Sequence, residues 1–439
     1  MNIIIYLLLA LFYAASTVLI LRKREWLIYL MCFTSVFYDS FDIIFLHVNL
    51  LGLKFFLKPF LFFQLLLIFL CLLELLNKKR LQDKLSISNK AVFICFFVFA
   101  TMAAYNTFAA HSSTLVGINL ILMVSMAIFL PYYYADKKFN LNIALCSLLF
   151  GLILSYTPVL YSIIGHTLFS MQEPSYSIFK IYGLTYVLGS FFIIYFYLIA
   201  RKPGTVIFLS IFLFLCFYMV FMARSRASWL TLFLCLLVYL IVFFLKAPFM
   251  KASGMKITWL YMIIALAFFS SVLTDKSIAG ELMPFKNMVL IRDVVNNDDP
   301  FMANIHNKFL RFVWYYLAHE RTIAWREAIH IIKANPYRGY GLIFSPAGLG
   351  VHNTLFTVFL STGIAGFLFY ISGIFILFGH LLKNIWNNLM AEKMRLFYFT
   401  LMLSIIGCGI DGTLQTNINE YLPWFLIAVS FVVLKGDRL

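Results

Sequence analysis

The chain has 439 residues, of which 63% are hydrophobic and 12% are charged. An ordinary globular protein is about 45–50% apolar and about 25% charged, so no soluble core could enclose this much apolar surface. The composition excludes a soluble multidomain protein and indicates a polytopic membrane protein. The formal net charge is +16, but basic residues placed between apolar runs usually set membrane orientation, so no nucleic-acid partner is expected.

The seven cysteines all fall inside apolar runs, and their number is odd. A disulfide framework is therefore not expected, and no Cys-x-x-Cys or Cys/His spacing indicates a metal site. The outer loops contain no Asp-x-Asp pair, apart from the adjacent Asp298-Asp299. The sequence predicts neither a metal nor a cofactor.

Thirteen apolar runs follow one another along the chain, and a helix needs about 20 such residues to cross the hydrocarbon core. The runs lie near 2–21, 26–46, 59–76, 91–110, 115–134, 141–164, 184–200, 205–223, 228–246, 257–273, 354–379, 396–413 and 421–435. They lack the ten-residue alternation of a barrel, so the predicted fold class is all-α, a polytopic bundle of transmembrane helices. Because two of the runs are short, the predicted count is twelve or thirteen spans.

The Lys and Arg residues in the short connections predict how these spans are oriented. If the spans alternate, 20 of these basic residues lie on one side, counting the C-terminal tail, and 5 lie on the other. Such an excess marks the cytoplasmic side. The sequence therefore predicts transmembrane helices in 1–273, a large extracytoplasmic loop in 274–353 and C-terminal transmembrane helices in 354–439. The loop holds nine of the 34 basic residues, so we expect the chemistry there.

Residues 309–334, within this loop, have the pattern of an amphipathic helix that ends before Asn335-Pro336. One face carries the basic residues Arg326, His330 and Lys333. Such a face is typical of an interfacial helix whose cations reach headgroups, and Arg326 is a candidate for substrate binding. Arg321 shares a side with apolar neighbours instead, and an arginine held there favours an anionic partner.

A glycine-rich stretch, NPYRGYGLIFSPAGLG, follows this helix and leads to His352 and Asn353. Glycines allow a backbone to approach a ligand closely, so Gly341 is expected to contact substrate. Asn353 is the predicted N-cap of the span at 354–379, and a helix N-terminus favours phosphate. His352 lies at this N-terminus, where the alternatives are a structural interface residue and a functional one.

The turn ARSRAS, residues 223–228, lies between two spans on the same predicted face. Its two arginines, Arg224 and Arg226, are exceptions to the tendency of basic residues to lie on the cytoplasmic side, and the turn that holds them has only a few residues. A guanidinium presents a planar fork to phosphate oxygens, and the alternative is snorkelling into lipid headgroups. Ser225 or Ser228 is expected to cap the next helix.

In their order along the chain, these motifs resemble the O-antigen ligase and O-antigen polymerase superfamily of bacterial membrane glycosyltransferases. The resemblance is carried by SRAS after a span, by Arg321-x-x-x-Trp325 followed by NPYRGYG, and by His-Asn entering a span with Gly363 and Gly366 behind it. It covers residues 205–415. It implies a multi-pass protein of the bacterial inner membrane whose active site faces the periplasm.

The resemblance implies that a glycan moves from undecaprenyl diphosphate to an acceptor hydroxyl, with inversion and without a metal. The family's functional residues map onto Arg226 or Arg224, Arg321, His352 and Asp411. The arginines would stabilise the leaving diphosphate, and His352 would take the proton from the acceptor. The implied partners are the lipid-linked glycan donor, the glycan acceptor, membrane lipid and a chain-length regulator protein.

Two functions within this superfamily and one from another class stay open. A polymerase adds the glycan to another lipid-linked repeat, and a ligase adds it to the lipid A core. The composition, rich in Phe, Ile, Lys and Asn, favours the polymerase. The third alternative is a flippase for the same lipid, but transporters tend to show internal repeats and midplane ionisable residues, whereas the charge here is concentrated in one outer loop.

Overall fold

The computed structural model describes most of the chain in fourteen segments. These segments are residues 2–36, 46–50, 53–57, 59–76, 87–110, 114–134, 139–155, 176–223, 225–245, 254–274, 322–342, 353–387, 391–414 and 421–434. The structural statements that follow refer to these residues.

Fourteen helices and one two-stranded hairpin make up the described segments. The helices are α1 (Asn2–Arg22), α2 (Trp26–Ser35), α3 (Pro59–Leu76), α4 (Ile87–Ala109), α5 (Thr114–Tyr133), α6 (Leu141–Ser155), α7 (Tyr176–Ile199), α8 (Pro203–Met222), α9 (Arg226–Phe244), α10 (Gly254–Thr274), α11 (Thr322–Ala334), α12 (Thr354–Ile385), α13 (Glu392–Leu414) and α14 (Tyr421–Leu434). Each predicted apolar run corresponds to one helix. The remaining helix, α11, is the described part of the predicted amphipathic helix.

Six of the helices in the described segments are long and apolar enough to cross a membrane, by length and composition. They are α4, α8, α9, α10, α12 and α13. Apolar runs of this length form helices because a bilayer offers the backbone no other hydrogen-bond partner. Aromatic and aliphatic side chains fill the space between the helices, and Phe96, Phe99 and Tyr239 are almost completely buried. The predicted fold class, a polytopic helical membrane protein, is confirmed.

The predicted run at 26–46 is longer than the helix found at its start, and its residues 37–45 lie outside the described residues. Helix α2 contains only 10 residues, about 15 Å, which is half of the hydrocarbon thickness. Residue 46 begins strand β1 (Leu46–Leu50), which pairs antiparallel with β2 (Leu53–Leu57). The sequence LHVNL alternates apolar and polar residues, which is the period of a strand. The described fold is thus helical with one added hairpin.

Helix α12 is longer than the span predicted at 354–379, and it is broken. At about 1.5 Å per residue, its 32 residues would extend about 48 Å, well beyond the roughly 30 Å hydrocarbon core. Gly363, with φ 69° and ψ −173°, interrupts the helix. The 22 residues that follow, 364–385, extend about 33 Å and are enough to cross the membrane alone. The segment 354–362 is therefore not needed to cross the hydrocarbon core.

The helices that carry the candidate residues meet at one end of the bundle. Helix α12 packs between α4 and α13, and α13 also packs against α7 and α9. A short connection joins α12 to α13, so the two run antiparallel and the start of α12 lies beside the end of α13. The end of α4 lies there too, because Asn106 bonds to the Ser361 carbonyl of α12. We call this the loop end of the bundle.

Basic side chains hold helix termini together at the opposite end. The ammonium group of Lys256 donates to carbonyls of the last turn of α7, including those of Tyr197 and Leu198 at 3.2 and 3.0 Å. A cation there offsets the negative end of the helix dipole. Arg24 forms an ion pair with Glu74 of α3. Both basic residues belong to the set that the sequence places on the cytoplasmic side.

Candidate active site at the loop end

Three buried side chains connect the start of α9 to the end of α13. Ser225 is the N-cap of α9, and its Oγ accepts a hydrogen bond from the backbone N–H of Ser228 at 3.3 Å. The Ser228 hydroxyl lies 3.0 Å from Ser225 Oγ and 3.4 Å from Asp411 Oδ1. Only 1% of the Asp411 surface is exposed. The predicted serine cap is found at Ser225, and Ser228, which bonds to it, contacts a buried carboxylate.

Glycines let the helices approach closely around these side chains. A Cβ atom on Gly183 of α7 would lie 2.5 Å from Ser228 Oγ and 3.3 Å from Ser225 Cβ. One turn before Asp411, a Cβ on Gly407 would lie 3.1 Å from Thr231 Cγ2. Larger residues at these two positions would push α7 and α13 away from α9. The position of Asp411 therefore depends on glycines that carry no functional group of their own.

Arg226 is exposed at the first position of α9, two residues before Ser228. A helix N-terminus carries partial positive charge, so a cation placed there increases the local positive charge instead of neutralising it. The arginine and the helix terminus both favour an anion at this point. The structure thus brings two of the predicted catalytic residues, Arg226 and Asp411, to the same end of α9.

The break in α12 is bridged by the loop that follows α11. This loop, residues 336–342, supplies backbone partners for the groups that lose their helical bonds at Gly363. The bonds run from Tyr340 N–H to Leu360 O (2.7 Å), from Gly341 N–H to Ser361 O (3.3 Å) and from Ile364 N–H to Pro336 O (2.8 Å). Irregular backbone near a membrane is tolerated where protein satisfies its polar groups in this way.

The same loop is also fastened to α4. Thr107 Oγ1 accepts from the Leu342 N–H at 2.9 Å. The backbone of the loop lies so close to α4 that a Cβ on Gly339 would collide with the Asn106 side chain, and one on Gly341 would lie 2.7 Å from Thr107 Cα. Gly341 also has a φ of 87°, which favours glycine. The close approach expected at Gly341 is therefore made to α4, and its contact with substrate stays a prediction.

Helix α11 packs on the outer segment of α12. The rings of Trp325 and Phe356 are 6.0 Å apart in an edge-on arrangement, and Ala328 and Leu360 are buried between the helices. The side chain of Asn353 caps α12 by accepting from the Phe356 N–H at 3.0 Å, as predicted. The first turns of α11 and α12 are therefore neighbours.

Three predicted site residues, Arg224, Arg321 and His352, lie outside the described residues. Arg321 directly precedes the first residue of α11, and His352 directly precedes the cap of α12. Arg326 is exposed on α11, together with His330 and Lys333, which agrees with the charged face predicted for this helix.

An open cavity of about 510 Å³ lies between the end of α4 and the loop. We call it the α4–loop cavity. Its lining includes Tyr105 and Asn106 of α4, Tyr337, Arg338 and Tyr340 of the loop, and Thr362 beside the break in α12. The guanidinium carbon of Arg338 lies 5.3 Å from the centre of the Tyr340 ring. The sequence analysis named none of these residues as a site, although Arg338 lies within NPYRGYG.

The described residues contain no group of three or more His, Cys, Asp or Glu side chains that could hold a metal ion. In comparison with known proteins, the model of a family described as O-antigen ligase matches residues 211–371. The match runs from within α8 to the first turns that follow the break in α12, so it contains the serine–arginine turn, α11 and the loop. It confirms the resemblance found in the sequence. No curated protein matches the chain.

Proposed function

Because residues 211–371 match the O-antigen ligase family, we propose that this multi-pass membrane protein is a glycosyltransferase of the bacterial inner membrane. It moves a glycan from undecaprenyl diphosphate to a hydroxyl of an acceptor glycan at the periplasmic face. The observation that carries the proposal is the contact between Ser228 and Asp411, since it joins a buried carboxylate to the helix end that bears Arg226.

The start of α9 is the proposed position of the diphosphate. Arg226 is exposed there, and the dipole of α9 adds to its positive charge. One guanidinium group can donate two parallel hydrogen bonds to a phosphate group, and it can neutralise the charge that develops on a leaving diphosphate. Arg321 and Arg224 are further candidates for this role, and Arg326 and Asn353 are candidates for contacts with the diphosphate or the glycan.

His352 is the proposed base that takes the proton from the acceptor hydroxyl. Its neighbour Asn353 fixes the start of α12, and the contact between Trp325 and Phe356 holds the first turn of α11 beside that of α12. Arg321 and His352 directly precede these two turns, which supports a shared site for them. Direct attack by the hydroxyl on the sugar carbon gives inversion.

Asp411 is proposed to position the charged groups of the site. Its carboxylate is buried beneath the first turn of α9 and contacts the hydroxyl that also reaches the cap. A buried carboxylate needs hydrogen bonds or opposite charge, and both are available at a helix N-terminus next to an arginine. The carboxylate therefore offsets the positive charge of the arginine and the helix N-terminus when no diphosphate is bound.

Polymerase is the proposed specific activity, and ligase is the second candidate. The composition of the chain favours a polymerase, whereas the description of the matching family favours a ligase. The donor is the same for both, and a polymerase would work with a chain-length regulator protein.

The glycan profile of a strain in which the gene is deleted tests the proposal. Loss of long chains with a single repeat left on the core supports the polymerase, and complete loss of glycan from the core supports the ligase. Lipid-linked repeats trapped on the cytoplasmic side would overturn both and support a flippase. Complementation with the wild type and with Asp411→Asn connects the phenotype to the site.

A further inference from the structure

The α4–loop cavity has the composition of a carbohydrate site. Three tyrosines line it, and Tyr105 and Tyr337 have 70% and 83% of their surfaces exposed. Tyrosine offers an apolar face and a polar tip, which suits the alternating C–H and hydroxyl surfaces of a sugar ring. Arg338 and Asn106 add polar groups for hydroxyls. The volume of about 510 Å³ falls in the usual range of small-molecule sites, about 300–1,000 Å³.

The backbone around the cavity is held in place before any ligand binds. The loop is bonded to α12 through the carbonyls of Leu360 and Ser361, and to α4 through the hydroxyl of Thr107. Asn106 uses its Nδ2 to bind the Ser361 carbonyl, so its amide orientation is set and Oδ1 is the acceptor that it can offer to a hydroxyl. A preorganised site avoids most of the entropy cost of ordering loops upon binding.

The location of the cavity separates it from the proposed diphosphate site. Helix α12 packs against both α4 and α13, and α13 carries Asp411. The cavity is lined by α4, the loop and α12, whereas the proposed diphosphate site is formed by α9 and α13. The N-terminus of α12, next to His352, is nine residues or about 14 Å from Thr362 in the cavity. A glycan that reaches from the cavity to this N-terminus would present a hydroxyl to the base.

We propose that the α4–loop cavity is a subsite for sugar units of the acceptor glycan, with Tyr337 and Arg338 as its main contacts. The assignment of the bound glycan as acceptor rests on the proposed function, whereas the binding of sugar does not. Because these contacts lie away from the reacting atoms, they contribute equally to the ground state and the transition state. Their loss should raise the acceptor KM and leave kcat unchanged.

The competing explanation is that the tyrosines anchor the protein at the membrane surface, where aromatic residues are common. An anchor would affect insertion and thermal stability but not the binding of a free sugar. Two matched controls follow from the structure. Trp386→Ala removes an exposed aromatic side chain just after the far end of α12, and Lys333→Ala removes an exposed cation next to the loop but outside the cavity lining.

The experiment uses the full-length protein in lipid nanodiscs and, as probe, the free oligosaccharide released by mild acid from the strain's own glycan. We expect wild type and both control variants to bind the oligosaccharide equally, and Tyr337→Ala and Arg338→Ala to bind it at least about tenfold more weakly. In turnover assays, the same two variants should raise the acceptor KM by a similar factor, with kcat and the donor KM within about twofold of the wild type.

Equal binding by all variants, or a loss of thermal stability with unchanged binding, would overturn the subsite. The absence of binding to a wild-type protein that turns over would overturn it as well. Oligosaccharide binding that depends on Tyr337 in a protein without transferase activity would instead overturn the proposed function and leave the sugar site standing. The two failures are therefore distinguishable.

Discussion

The hydroxyl of Ser228 lies 3.4 Å from the carboxylate of Asp411, and this contact joins residues that are 183 positions apart in the chain. It connects the first turn of α9, where Arg226 is exposed, to the buried last part of α13. Asp411 lies beyond the segment that matches the O-antigen ligase family, which ends at residue 371. The contact links this residue, which the sequence resemblance already included, to the serine–arginine turn inside the match.

Replacing Asp411 by Asn tests the role of the buried carboxylate. The amide keeps the shape and can still accept from Ser228, but it cannot offset positive charge, so we expect turnover to fall on the order of 10²-fold.

Ser228→Ala should lower the free energy of unfolding by about 1–3 kcal/mol, because a buried carboxylate loses a hydrogen-bond partner. Ser190→Ala is the control, since among the described residues that buried serine bonds within its own helix α7, to the Val187 carbonyl. Thermal unfolding and turnover of reconstituted protein measure both effects, and wild-type turnover in Asp411→Asn would contradict the role.

Gly183→Ala should separate α7 from the cap of α9. The added methyl group would lie 2.5 Å from Ser228 Oγ, and overpacking of this kind costs about 1–3 kcal/mol. Gly409→Ala is the matched comparison, because a Cβ at Gly409 would meet none of the described residues within 4 Å, although Gly409 lies close to Asp411 in sequence. Alanine there should be neutral or stabilise the helix by up to about 1 kcal/mol. Equal unfolding temperatures for the two variants would argue against the close contact.

Gly363→Ala should disturb the break in α12. Alanine is strained at a φ of 69°, and its Cβ would lie 2.5 Å from the Tyr337 carbonyl oxygen. We expect the loop at 336–342 to lose its pairing and become sensitive to limited proteolysis, with a matching loss of turnover. Gly379→Ala lies in the same helix, and a Cβ there would meet no described residue within 4 Å, so this variant should leave the loop and the turnover unchanged. An intact loop in the Gly363 variant would show that the pairing does not depend on this conformation.

Arg226→Gln should lower turnover strongly while changing stability little. The substitution removes a cation that opposes the dipole of α9, but it also removes the positive charge next to the buried Asp411, so the two effects on stability oppose each other and the free energy of unfolding should change by less than about 1 kcal/mol. Turnover should nonetheless fall about 10²–10³-fold, and Arg226→Lys should restore little of it, because a point charge does not replace a planar fork. Arg321→Lys is expected to lose turnover to a similar extent, for the same reason. If the lysine variants keep full activity, the arginines serve only as interfacial anchors.

His352→Gln tests the proposed base. The variant should insert normally and still bind the lipid diphosphate through the arginines, while its turnover falls on the order of 10²–10⁴-fold. The measurement is turnover of purified, reconstituted protein, with donor binding followed in parallel. Wild-type turnover in this variant would assign the imidazole an orienting role and make Asp411 the next candidate for the base.

The sequence alone determined the helical membrane fold and the caps, because both depend on local chemistry. Apolar runs must form helices in a bilayer, and Ser225 and Asn353 bond to N–H groups three residues away. The charged face of α11 follows from helical periodicity in the same way.

Only the tertiary structure decided which distant groups meet. The break at Gly363 depends on partners from the loop, and the sequence offers Gly366 as an equally permissive glycine nearby. The pairing of β1 with β2, the α4–loop cavity and the contact between Ser228 and Asp411 likewise depend on packing. Asn106 and Ser361 are 255 residues apart, and no local pattern encodes a bond over that separation. Such bonds form because polar backbone groups near a bilayer need hydrogen-bond partners from the protein itself. Which side chain or backbone group can serve as the partner depends on how the helices pack.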